Sequence, residues 1–241
     1  SNWLLWVHVM ISIINCGPSR GFDTYSPTII KSFGYPGLAS NALASVGLFI
    51  QIPVAFGFSW DLIDSDIVDP LSPDYHSLEL TCDSDMRGET VIASIGLHLS
   101  GHIFNRIFTE LSNRDVRYFG VVWTQIFASI SHPLNVAWMA LVCRDSEERS
   151  LAMAMYFKGT FAACKSLCSV DQLTDDDQIA MSANIGAIYG AQIFQSDDAP
   201  KYRRAFATNI GLLAAALSLA VGRYCWERRR INRKTSAMAD E

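Results

Sequence analysis

The sequence predicts an all-α protein, a polytopic transmembrane helical bundle, and three observations carry that prediction. Half of the 241 residues are apolar and only 18% are charged, against roughly 25% in soluble domains. Six stretches hold no Asp, Glu, Lys or Arg: 1–19, 32–60, 90–105, 118–143, 178–196 and 205–222. Within them, "ALASVGLFIQIPVAFGFSW" and "FGVVWTQIFASISHPLNVAWMALVC" have no charged face to offer water, unlike the helices of soluble proteins. A helix needs about 20 mostly apolar residues to cross a bilayer, and five of the six stretches reach or nearly reach that length.

The predicted bundle occupies 1–226, with spans at 2–17, 40–60, 88–108, 117–143, a broken one at 150–157 plus 179–195, and 205–226. "GPSRGFDTYSPTIIKSFGYPG", 17–37, carries Gly and Pro at both ends and reads as an exposed loop. The segment 61–85 is acidic, proline-bearing and without period. Residues 158–178 interrupt what would otherwise be a single span. Both read as atypical inserts, and 158–178 is either a re-entrant excursion or foreign to the working protein. The remainder, 227–241, forms a basic tail. Lys and Arg nearly balance between the loops of the two sides, so the dense "RYCWERRRINRK" of 223–234 decides orientation and places the tail in the cytoplasm. Membrane charge-anchoring is a better account of that tail than nucleic-acid binding, and no nucleic-acid partner is expected. The chain starts at Ser1 within an apolar run, so an upstream part is expected.

Gly186 and Gly190 form G-x-x-x-G beside Ala183 and Ala187, a small-residue face that lets helices approach closely in lipid. Asn184 and Gln192 share that helix and must face protein or a cavity. A helix–helix hydrogen bond and a cavity role both remain open for them. In "HPLNVAWMA", Pro133 sits within a span, just before Asn135 and Trp138. A proline there frees a carbonyl and kinks the helix, which suits either a cavity wall or a structural bend.

His98 and His102 lie four apart on one helix face, the spacing of a metal pair. A membrane metal-enzyme built on them is one alternative, but the other histidines, His8, His76 and His132, are far apart in sequence. No metal site is therefore expected. Cys164 and Cys168 lack a second pair, and the aspartate run ending at Asp177 lacks the spacing of a calcium loop. No glycine-rich phosphate loop, nucleophile elbow or paired-carboxylate constellation appears. An enzyme is not expected, nor any cofactor. The six cysteines read as small core residues rather than as a disulfide framework.

"FDTYSPTIIKSFGY", "HPLNVAWMA" and "ANIGAIYGAQIFQSDDAPKYRRAF" occur in that order. Together they resemble the C-terminal half of fungal major facilitator transporters, in the anion:cation symporter branch that holds allantoate and nicotinate permeases. "DSEERSLAMAM" resembles the loop into that family's eleventh helix. The resemblance covers most of 3–60, 87–157 and 179–226, and neither 61–83 nor 158–178.

It implies a six-helix half of a transporter, working as a multi-pass protein of the plasma membrane with a six-helix N-terminal half as its missing partner. The implied activity is proton-coupled symport of a small organic anion, such as a vitamin or ureide carboxylate, bound near the bilayer midplane between the halves. On that reading Asn135, Trp138, Asn184 and Gln192 line the cavity, with Tyr25 near an outer gate. Asn135 and Asn184 would hydrogen-bond a carboxylate, and Trp138 would stack on a ring. Gly186 and Gly190 would pack the eleventh helix, while Asp197 and Asp198 cap the turn to the twelfth. Alternating access needs both halves, so the chain by itself is expected to be a non-transporting truncated or relic membrane protein.

Overall fold

The computed structural model describes residues 3–64, 75–111, 113–142 and 188–239, and all of its regular elements are helices. They are α1 (Trp3–Ser32), α2 (Gly37–Asp64), α3 (Tyr75–Phe108), α4 (Arg114–Ala128), α5 (Ser131–Val142) and α6 (Arg203–Ala239), with a helical segment at 188–193. A single 3-10 turn, Ser196–Asp198, precedes α6. α3 packs on α4, α5 and α6, while α1 packs on α6, α2, α4 and α5. α2 lies outermost, against α4 and α1.

The expected loop at 17–37 is helical as far as Ser32. Two prolines lie inside α1, and each leaves a carbonyl one turn back without its amide donor. Pro18 orphans the carbonyl of Ile14, which accepts a hydrogen bond from the Tyr189 hydroxyl at 3.0 Å. Pro27 orphans that of Asp23, which accepts from Ser26 Oγ at 3.1 Å. With both carbonyls satisfied, the helix continues. It ends where Gly34 takes a φ of 96°, a left-handed conformation that favours glycine.

The expected span 117–143 is two helices, broken at Ser129–Ile130, four and three residues before Pro133. The Ala128 carbonyl at the break accepts from Ser19 Oγ at 2.7 Å. α4 begins on an Asn113 cap whose side chain accepts from the Asp115 amide. The expected basic tail continues α6 to Ala239. The insert expected at 61–85 carries the end of α2, through Asp64, and the start of α3, from Tyr75. The span pieces at 150–157 and 179–187 and the insert 158–178 lie outside the described residues.

Among the described residues, two helices are long and apolar enough to cross a membrane, over Gly37–Phe58 and Arg203–Arg233. That is fewer than the six expected spans. α1 carries Arg20 and Asp23 within its length, and α4 has only 15 residues, too short to cross singly.

Two apolar clusters fill the interior. One gathers Phe22, Ile29, Ile30, Phe194 and Phe206; the other gathers Ile11, Val91, Ile95, Leu134 and Trp138. Between them, at the level of α1 residues 15–19, the interior is polar: Asn15, Ser19 and Ser131 are buried there. The outer surface is the reverse. Leu38, Phe49, Phe56 and Trp60 of α2 are each about 70% exposed or more. A chain that hides amides and imidazoles while displaying large apolar side chains inverts the usual arrangement of a water-soluble domain.

Candidate functional site

Polar residues of α1 recur at 8, 12, 15 and 19, alternating steps of four and three that hold them on one helical face. That face meets the α4–α5 break. Asn135 Nδ2 donates to the His8 carbonyl at 3.1 Å and to Ser12 Oγ at 2.7 Å. The carbonyl can only accept, which fixes the amide's orientation and turns Oδ1 toward His8 Nδ1, 2.9 Å away. His8 Nδ1 therefore carries the proton, and Nε2 holds the free lone pair. One turn on, Asn15 Nδ2 donates to Ser131 Oγ. Ser19 Oγ, held by the Asn15 carbonyl at 3.0 Å, then reaches Ala128.

At the other end of this seam, Trp138 is fully buried. Its indole meets the His8 ring edge to face at 4.8 Å, and its Nε1 donates to Glu227 Oε2 at 3.1 Å. The Arg223 guanidinium lies 5.3 Å from the Trp138 ring and pairs with Glu227 at 2.9 Å. The Arg223 side chain is 2% exposed. Burying that charge requires a partner, which Glu227 supplies one turn further along α6.

The seam thus braces α1, α5 and α6 together. Among the described residues, three of its atoms lack a hydrogen-bond partner: His8 Nε2, Asn15 Oδ1 and Arg223 Nε. The first two are acceptors and the third a donor.

The sequence-predicted site residues fall in different places. Asn135 is buried here, but its amide hydrogens are spent on His8 and Ser12. Trp138 is enclosed by His8 and Arg223, with no face open to stack on a ring. Each therefore acts as a brace rather than as a cavity wall. Tyr25 stacks on Phe194 at 5.4 Å, away from the seam. Gln192 is on the surface, and Asn184 and Gly186 lie outside the described residues.

Gly190 does pack closely. A Cβ there would meet the backbone of Gly17, and one at Gly21 would meet that of Gly190. Just beside this crossing, the Tyr189 hydroxyl enters the α1 backbone ladder. It accepts from the Gly17 amide at 3.1 Å and faces the carbonyls of Ile13 and Ile14 at 2.5 and 3.0 Å.

His8, Asn15, Ser131, Arg223 and Glu227 were not anticipated as site residues. The 8-12-15-19 stripe is the signal that finds the α1 members, and a loop assignment from residue 17 cuts it short. A shallow depression lined by Gln51, Ile52, Ala55 and Phe56 lies on the outer face of α2 and includes none of these side chains. Among the described residues no group of three or more His, Cys, Asp or Glu is placed to hold a metal ion.

Charge gathers at the opposite end of the bundle. Asp198 accepts from the Arg204 and Ala205 amides at 2.8 and 3.1 Å, capping α6. Arg204 pairs with Asp197 at 3.1 Å. Lys201 and Arg203 converge on Glu110, past the end of α3. The Arg203 hydrogen bond, helped by Lys201, holds the Glu110 carboxyl below its ordinary range.

No family model matches the chain, and neither does any curated protein or solved structure.

Proposed function

We propose that the chain is the C-terminal half of a major facilitator transporter of the anion:cation symporter branch, and that the whole protein moves a small organic anion together with protons. The observation that carries this reading is the inverted bundle. Polar side chains occupy a layer midway between two apolar clusters, while the aromatic and aliphatic side chains of α2 cover the outside. In lipid that arrangement puts apolar surface against hydrocarbon, and buried polar groups there mark substrate or ion pathways by default. On this reading the layer would lie near the midplane, where transporters of this architecture bind substrate.

His8 Nε2 and Asn15 Oδ1 then offer acceptors to a protonated carboxylic acid or to a ring N–H. Asn135 and Trp138 hold the helices that present them. The charged turn at 197–204 fixes one end of α6 outside the hydrocarbon, and the Arg-rich end of the helix fixes the other.

The reading is tested in two steps. Alkaline carbonate extraction of membranes from cells expressing the chain is expected to leave it in the pellet; release into the supernatant overturns the membrane assignment. Uptake of labelled aromatic and ureide carboxylates is then measured with the product of the complete transcript. Accumulation that collapses with a protonophore supports symport, and accumulation indifferent to it removes the proton from the scheme.

A further inference from the structure

A second group of buried polar atoms lies where α3 faces α6. His98, His102 and Asn209 are each fully buried. Both ring nitrogens of each histidine, and both amide atoms of Asn209, lack a hydrogen-bond partner among the described residues. Three neighbouring side chains with this property are exceptional, since buried polar groups are almost always paired.

The helices run antiparallel. Glu110 meets Arg203 at one end, and Glu89 accepts from Tyr224 at the other. That register brings Asn209 level with the turn of α3 that holds His102. Phe206, one turn before Asn209 on the same face of α6, contacts the His102 ring with centroids 6.2 Å apart. Phe22 of α1 meets the same ring edge to face at 5.4 Å.

The two imidazoles stand with centroids 5.0 Å apart and planes inclined at 52°. Two rings that bind one tetrahedral cation through nitrogens at about 2.0–2.1 Å have centroids about 5 Å apart. The four-residue spacing on one helix is the arrangement that zinc-binding helices use to present two histidines to one ion.

We propose that His98, His102 and Asn209 form a site for one borderline metal cation of the zinc class, held by the two imidazoles with the Asn209 amide oxygen as third donor. The ligands are neutral, and aromatic rings flank one of them, so the ion is structural cargo or a structural clamp rather than a reactive centre. It ties α3 to α6 at mid-height, between the charged contacts at their two ends. The inference stands apart from the transport reading, since it concerns an α3–α6 contact and not the seam.

The test uses the purified chain in detergent micelles, stripped with chelator and titrated with Co²⁺ as the spectroscopic stand-in for Zn²⁺. One equivalent is expected to produce the strong visible absorption of a tetrahedral ion, displaced by Zn²⁺. His98→Ala and His102→Ala are each expected to weaken binding at least a hundredfold, Asn209→Ala at least tenfold, and His8→Ala not at all. Helical circular dichroism of every variant separates lost binding from lost fold, and His98→Cys, which keeps a zinc ligand, is expected to restore part of the affinity. A folded wild-type chain that binds no Co²⁺ overturns the proposal, as does undiminished binding by the folded His98→Ala/His102→Ala double variant. Hydration of the pair by water alone corresponds to the first of these results.

Discussion

The α1–α5 seam and the α3–α6 histidine pair are buried to the same degree, yet they handle their polar atoms in opposite ways. Around Asn135, one amide joins His8 and Ser12, and most of the polar atoms nearby have partners. Around His98 and His102, no ring nitrogen has one among the described residues. A satisfied buried network stiffens and specifies a fold, whereas unpartnered groups cost stability unless something binds them. Burial alone therefore does not distinguish a brace from a receptor; the distribution of unspent donors and acceptors does.

The glycine crossing holds the 188–193 segment against α1 beside the seam, and its loss should have the largest effect. Gly190→Leu forces a side chain into the Gly17 backbone, with no flexible neighbour to yield. The cost should be about 3 kcal/mol, read as a lowered unfolding midpoint in detergent.

The comparison itself is sharpened by a pair of variants. Asn135→Ala strands His8 Nδ1 and Ser12 and should cost about 2 kcal/mol. His98→Leu, in metal-stripped protein, removes an unpartnered ring at similar volume and should change stability by no more than about 0.5 kcal/mol, or raise it. Equal losses from the two would break the distinction drawn between the regions.

Tyr189→Phe keeps the ring and removes only the hydroxyl that meets the α1 backbone at Gly17 and Ile14. It should cost about 1–2 kcal/mol. It should also speed exchange of the Gly17 amide hydrogen, which loses its acceptor; an unchanged exchange rate would remove the hydroxyl from the account of how α1 passes Pro18.

The smallest effect belongs to Glu110. Its carboxyl titrates below the ordinary 4.5 in the folded chain because Arg203 and Lys201 stabilise the charged form. Its contribution is therefore complete above pH 4.5 and is lost as the pH falls through the lowered folded value. Glu110→Gln should flatten this part of the acid limb of the stability profile, and added salt should mimic the change, because the contact is exposed.

The all-α class was legible from the charge-free stretches; the number of spans was not, since two described helices are long and apolar enough to cross a membrane. The helical class followed from composition, because long runs without charge have few folded outcomes. The course of α1 was not legible. Gly17, Pro18 and Pro27 are turn residues by local rule, and only Tyr189, over 170 positions away, and Ser26 keep the helix going by supplying the missing donors. The break at Ser129–Ile130 was half legible: Pro133 announced a disturbance, but its position depends on Ser19 taking the Ala128 carbonyl. Asn135 and Trp138 stand out in the sequence as an amide and an indole within an apolar helix. Their use was not readable, since the atoms that occupy them belong to α1 and α6. His98 and His102 show the limit most plainly. Spacing in sequence put them on one face, but whether other groups had already claimed their nitrogens is a property of the packed bundle.

The Tyr189 hydroxyl also couples two parts of the molecule mechanically. One oxygen stands in for backbone bonds that α1 lacks around Gly17 and Pro18, and it sits on a segment that touches the same glycine. α1 cannot straighten or bend further at that point without either breaking those bonds or carrying the 188–193 segment along. The two helices share a joint, with the tyrosine as its pin, and any rearrangement of the polar layer beside it must move them as a pair.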